Sequence, residues 1–421
     1  MSATDISALV LVVAAAIGCF NYLCVKLPRS IGVLVLSLSL SLIGIAVDRL
    51  SGSHLVRWYH LTMDAADLPH VFLDGVLALL LFASSLHVNA RELSRRKWTI
   101  LLLATGSVIV SMIVFGGGIW LAFQLAGVPV RPAWCLVIGA ILAPTDAVVV
   151  EALLRTMPIP PSLRAAISGE SLFNDGTALV LYLAMLGLAH GETAVYGRGR
   201  IAIALSLAVA GGAAIGGIGG IIASWLMRRV HDAGLQLLVS LALVIASYSA
   251  ADTAGVSAPI AVVTAGLCVK LLTPEFSEGA GAYLTLAGFW GLLDELLDTL
   301  LFLLIGFQVL ALTLEGQTLI PILIAMPLAL LARLISVIVP VGLSRGSMRA
   351  KLQEGAVLTW AGLRGGISVA LALTLPPMPY RVQLLSVCYA VVLFTIVVQG
   401  LTMPRLLRAL YGHRVIPAQA P

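Results

Sequence analysis

The chain has 421 residues, of which 60% are hydrophobic and 11% charged, with a mean hydropathy of +1.05. A soluble domain carries about 25% charged residues, so this composition describes a polytopic membrane protein. The net charge of +5 is small and dispersed along the chain, which excludes nucleic acid as a partner, and no cofactor is called for.

Apolar runs of about 20 residues mark membrane-spanning helices. Thirteen are found, at 6–25, 30–48, 68–88, 98–126, 133–154, 162–189, 199–227, 234–252, 255–272, 284–314, 316–343, 352–376 and 382–404. The N-terminus has neither a basic region nor a small-residue cleavage site, so the first run reads as a retained helix. The tenth run is long enough to tilt or to end at the interface. The tail after Arg405 is too short to fold alone. All five cysteines, Cys19, Cys24, Cys135, Cys268 and Cys388, lie in apolar runs without metal-ligand spacing and read as small packing residues.

Basic residues set the orientation. Seventeen of the 25, including Lys26, Arg29, Arg95, Arg96, Lys97, Arg155, Arg228, Arg345 and Arg414, fall on one side, and six, including Arg57, Arg131 and Arg198, fall on the other. The expected topology has the N-terminus outside and the C-terminus in the cytoplasm of a cell (inner) membrane. The cluster Arg95-Arg96-Lys97 is most simply a topology signal.

Span five reads Ala143-Pro144-Thr145-Asp146. Proline removes one helical hydrogen bond and clashes with the preceding turn. A break in lipid persists only where protein or a polar cavity satisfies the freed backbone. The plainer reading is a kink with Asp146 bonded to a neighbour. The sharper one is a coordination point for a small hard cation. Span six supports the sharper reading, because Gly169-Glu170-Ser171-Leu172-Phe173-Asn174-Asp175-Gly176 places two carboxylates in an apolar run with no Lys or Arg between them. On a helix, Ser171 and Asp175 share one face and Glu170 and Asn174 another.

Span seven holds Gly212, Gly216 and Gly220 at four-residue spacing, which permits close helix approach. In span ten, Asp294, Glu295 and Asp298 either line a funnel or solvate one face. Asp74, Glu151 and Glu354 read as local partners, and His87 as a weak pH-sensor candidate. Arg333, deep in span eleven, needs a carboxylate, and the candidates are Glu170, Asp175 and Asp146. Orienting Glu170 is the preferred reading. Span twelve reads Gly362-Leu363-Arg364-Gly365-Gly366, a glycine-weakened stretch in which Arg364 could neutralise the ends of its own broken helix. One interrupted span lies fifth from the start and the other second from the end. Paired breaks of this kind point to a midplane binding site in a secondary transporter. The expected fold is therefore all-α, with about thirteen transmembrane helices, inverted repeats and two broken helices crossing at the midplane.

Together, Pro144-Thr145-Asp146, the octet Gly169–Gly176 and Gly362-Leu363-Arg364-Gly365 resemble the monovalent cation:proton antiporter family of sodium/proton exchangers, in particular its short prokaryotic members. That resemblance implies interface-domain helices at 1–97 and 233–315, a core bundle at 98–189 and 316–421, and a linker helix at 190–232. It also implies a homodimer in the lipid bilayer, exchanging Na⁺ (or Li⁺) for H⁺ by elevator-like alternating access in the service of pH homeostasis. By the same resemblance Asp175 binds the ion or proton, Asp146, Ser171, Thr145 and Asn174 complete the site, and Glu170 pairs with Arg333. Asn-Asp in place of Asp-Asp implies electroneutral exchange. The sequence departs from the family pattern at Ala83, where relatives often carry a glutamate, at Ala147, where a proline often follows the aspartate, and at Asp298, where asparagine is frequent. A K⁺/H⁺ antiporter of the same fold is the nearest alternative. An intramembrane aspartyl protease also uses two buried aspartates, but it needs neither a second broken helix nor buried arginines.

Overall fold

The computed structural model describes residues 3–51, 75–88, 90–146, 150, 159–191, 200–230, 232–273, 282–311, 318–344 and 347–412. Asp74, Glu151, Arg57, Arg155, Arg198, Arg345 and Arg414 lie outside the described residues. Every described element is a helix or a turn, as a lipid environment requires of a chain that must satisfy its backbone internally.

The first helix, α1 (Ala3–Phe20), widens into a π-turn, Asn21–Val25, which Lys26 ends in the left-handed region at φ 59°. Next come α2 (Arg29–Ser51), α3 (Leu77–His87), the short α4 (Ala90–Arg95) and α5 (Lys97–Leu125). Then follow α6 (Pro132–Ile141), α7 (Pro161–His190), α8 (Arg200–Met227), α9 (Ala233–Thr253), α10 (Ala258–Leu272) and α11 (Ala282–Phe307). The last are α12 (Leu319–Gly342), α13 (Met348–Trp360), α14 (Gly366–Leu373) and α15 (Arg381–Tyr411). Among the described residues, eight helices are long and apolar enough to cross a membrane, and α3, α6 and α10 are shorter apolar helices. With α11 and the interrupted α13–α14 pair these make thirteen crossings, the number the hydropathy predicts. The interruptions fall in the fifth and twelfth, equivalent members of two six-helix halves on either side of α8.

Some boundaries differ from expectation. The final helix runs to Tyr411, not 404. Arg405 and Arg408 end the apolar run, but Leu407 and Tyr411 remain buried on the inner face. The stretch expected as a loop around Arg95 is helical in α4. Arg96 there is more than a topology signal: it forms an ion pair with Glu354 and donates to Ser162 Oγ at 3.3 Å, tying the start of α5 to α13 and α7. Cys19 and Cys24 are exposed, so they do not pack as expected. Cys135 and Cys388 are buried, and Cys268 is half-buried. His87 Nδ1 lies 2.8 Å from the Ala83 carbonyl of its own helix, which is an ordinary helix-end contact.

Packing explains why the glycines lie where they do. A Cβ at Gly212 or Gly216 would collide with the backbone of α10 or the turn before it, at Ser257 and Ala261, and one at Gly220 would lie 2.8 Å from the Ala265 carbonyl. The three glycines therefore let α8 lie directly against α10. In the same way Gly306 of α11 meets Ser37 of α2, and Ser41 Oγ donates to the Gly306 carbonyl at 3.0 Å. Near its middle α11 also joins α2 through an exposed ion pair of Glu295 with Arg29. Two apolar cores result. One gathers α5, α6, α7 and α12 to α15 with parts of α1, α2 and α11, and the other gathers α3, α8, α9 and α10 around Trp290 of α11.

Candidate functional site: a cavity at the crossed breaks

α6 ends at Ile141, just before Pro144, which cannot continue the helix. The break after α13 begins at Ala361, before three closely spaced glycines. The two breaks meet. Asp146 N–H donates to the Leu363 carbonyl at 2.8 Å, joining one interrupted segment to the other by a main-chain bond. A Cβ at Gly365 would collide with the Asp146 carboxylate, so only glycine lets the segments approach this closely.

Arg364 is fully buried, and it does not neutralise its own helix ends. Its Nη1 donates to the Ala143 carbonyl at 2.6 Å and the Pro144 carbonyl at 2.9 Å, both in the opposite break. The end of α13 is satisfied elsewhere. Arg333 Nε donates to the Leu358 carbonyl at 3.1 Å, and Gln399 Nε2 donates to the Trp360 carbonyl at 3.1 Å. Arg364 N–H itself donates to Thr395 Oγ1 at 3.1 Å. Thr395 and Gln399 bound a π-turn in α15, the kind of local widening that often marks functional sites. Neither residue stood out in the sequence, because one extra residue in a helical turn leaves no mark in composition.

Glu170 and Arg333 meet as a two-pronged pair with relative exposures of 1% and 4%. Nη2 donates to Oε2 at 2.7 Å, and Nη1 to Oε1. Such a pair fixes geometry as well as charge, because the planar guanidinium matches both carboxylate oxygens at once. It holds α7 against α12, one turn from Asp175.

Two further side chains of α7 grip the break. Ser171 Oγ donates to the Thr145 carbonyl at 2.7 Å. Asn174 Nδ2 donates to Thr145 Oγ1 at 2.9 Å and to the Thr145 carbonyl at 3.3 Å, while Asn174 Oδ1 is buried with no partner among the described residues. Both lone pairs of the Thr145 carbonyl are thus engaged by α7. Asp175 and Asp146 face a common cavity of about 70 Å³, with Thr145, Ser171, Ser168, Ser368 and Asp298 on its walls. Its oxygen-bearing side chains suit a small hard cation, which takes oxygen ligands. In α3 Ser84 lines the cavity beside Leu77, Leu80 and Leu81, while the neighbouring Ala83 is fully buried and not part of the wall. Gly169 and Gly176 let α7 approach Leu93 and Ile100 on one side and Ile260 on the other. Ser171 apart, the serines of the wall carried no sequence signal beyond being polar in apolar runs.

Thirteen crossings, with two interrupted helices bonded back-to-back beside a buried acidic cavity, define a secondary transporter of the inverted-repeat type. Comparison with known proteins narrows this class. The family described as "Sodium/hydrogen exchanger, transmembrane" matches residues 9–409. The chain is 36% identical over 397 residues to the Na(+)/H(+) antiporter NhaP of Pseudomonas aeruginosa, covering 93% of each. It is 31% identical over 347 residues to the Na(+)/H(+) antiporter ApNhaP of Aphanothece halophytica, covering 81% of this chain and 65% of that one. The structure of the sodium proton antiporter MjNhaP1 from Methanocaldococcus jannaschii matches in fold, with a TM-score of 0.73 at 18% identity, covering 98% of this chain and 99% of that one. The chain belongs to the sodium/hydrogen exchanger family.

Proposed function

We propose that the protein exchanges Na⁺, or Li⁺, for H⁺ across the membrane by alternating access, with Asp175 as the group that either ion occupies. The observation that carries this reading is the shared cavity of Asp175 and Asp146 at the crossed breaks. Exchange requires a site that a proton or a cation can fill, but not both. A carboxylate beside a second carboxylate meets that need, because one positive charge is required there and two are not accommodated. A hard cation suits oxygen ligands. In the assignment made here they come from Asp175, Asp146, Ser171 and Thr145, with the Ser171 hydroxyl turning from the Thr145 carbonyl to the ion. Asn174 supplies a neutral clamp on Thr145 and no second titrating charge, which fits one-for-one, electroneutral exchange. Glu170 with Arg333, and Arg364 across the breaks, are positioning residues that keep the bundle rigid while the ion changes.

The moving body in this reading is 98–189 with 316–421, working against 1–97 and 233–315, with 190–232 as the link and two chains forming a dimer. The cavity wall runs from Asp175 to Ser168, near the N-terminal end of α7, and to Val88, just past α3. Those ends lie on the side rich in basic loops, so the state is assigned as open to the cytoplasm, with the C-terminus on that side of the inner membrane.

Fluorescence dequenching in inverted vesicles, with Na⁺, Li⁺ and K⁺ added in turn across a pH series, tests the function. Dequenching by Na⁺ or Li⁺ is expected. A response to K⁺ alone would replace the sodium assignment with potassium exchange, and no response to any of the three would sink both.

A further inference from the structure

Asp298 belongs to α11, outside the crossed breaks, and the function as proposed makes no use of it. Yet its side chain lines the same cavity as Asp175 and Asp146, at 7% relative exposure. Its Oδ1 is buried with no hydrogen-bond partner among the described residues. Ser368, on α14 across the cavity, is 1% exposed, and its Oγ is likewise buried and unpartnered. Packing brings these two helices together, since a Cβ at Gly366 would collide with Leu301, one turn along from Asp298. Buried polar atoms are nearly always satisfied, so an unpartnered carboxylate oxygen and an unpartnered hydroxyl, on two residues that line one cavity, mark a place where something polar binds. The Asp298 carboxyl, among acidic neighbours and with no described basic partner, suits a cation. Its neighbour Glu295, one turn toward the exposed end, is engaged with Arg29, so no described basic side chain pairs with Asp298.

Among the described residues no three acidic, histidine or cysteine side chains converge closely enough to hold one metal ion together. Asp298 therefore does not share a coordination shell with Asp175 and Asp146. We propose that Asp298 and Ser368 form a second cation stop on the cavity wall, where an incoming Na⁺ gives up part of its water before moving to the Asp175–Asp146 pair. This rests on the exchange reading above. Asp298 lies on a helix assigned there to the stationary body, so the stop stays in place as the carrier pair moves. Its contribution is to capture, and it appears in KM.

The test is Na⁺-driven proton flux in proteoliposomes of the full chain, at alkaline pH where competition from protons is least. Asp298→Asn, nearly isosteric, is expected to raise KM for Na⁺ by at least about fivefold through loss of one nearby charge, with the maximal rate kept within about twofold. Asp298→Glu, which keeps the charge, falls between the two, and Ser368→Ala raises KM in the same direction. An unchanged KM in Asp298→Asn, or a lost maximal rate at unchanged KM, overturns the inference. If Asp298→Asn fails to fold, an unchanged KM in Ser368→Ala overturns it as well. Absence of Na⁺-driven flux in the unaltered chain would overturn the exchange reading itself, so the two failures are distinguishable.

Discussion

Each buried charge at this site is held by a different device, and each device has its own consequence on substitution. Glu170 is neutralised by Arg333 through two parallel bonds. Removing one partner of such a pair strands the other charge, which typically costs about 3–5 kcal/mol, whereas replacing both can be nearly neutral. Arg333→Met is thus expected to lower the unfolding temperature in detergent sharply, and Glu170→Gln with Arg333→Met to recover most of the loss. A double variant no more stable than Arg333→Met would show that the pair does not act as a unit. That these two residues meet is legible in the sequence, because a guanidinium deep in an apolar span needs a carboxylate and few are available. The destination of Arg364 is not legible. A guanidinium can serve carbonyls on any neighbouring element, and only the crossing of the breaks selects Ala143 and Pro144.

Among the elements, two of the contacts that depend on the absence of a Cβ separate stability from exchange. Gly216 lies against the Ala261 backbone and, with Gly212 and Gly220, lets α8 pack on α10. Gly216→Val forces the helices apart and is expected to destabilise the protein by about 1–3 kcal/mol, read as a lower unfolding temperature. Gly365 touches Asp146 instead, so Gly365→Ala is expected to leave a folded protein whose exchange rate falls by at least about tenfold, since small displacements of positioned groups cost that much and more. Full exchange in a folded Gly365→Ala protein would mean that the breaks tolerate separation. The spans themselves follow from hydropathy, and the two breaks follow from Pro144 and the Gly362–Gly366 cluster. The π-turn of α15 and the continuation of that helix to Tyr411 could not be read. A π-turn has no compositional signature, and an amphipathic end with Arg405 and Arg408 falls below any hydropathy threshold.

For the whole molecule, alternating access requires one cavity reached from one side at a time. In a chain whose five native cysteines are replaced, Ser84→Cys on the α3 wall is expected to react with a membrane-impermeant maleimide from the cytoplasmic face and not from the outside. Equal labelling from both faces would describe a channel. Because proton and cation share one site, acidification should raise the apparent KM for Na⁺ while a saturating Na⁺ concentration restores the rate. The central claim is that this shared site is Asp175, and Asp175→Ala in proteoliposomes tests it most directly. A folded protein with no Na⁺-dependent proton flux at any pH is the predicted result. Retention of pH-dependent Na⁺ exchange in that variant would contradict the account.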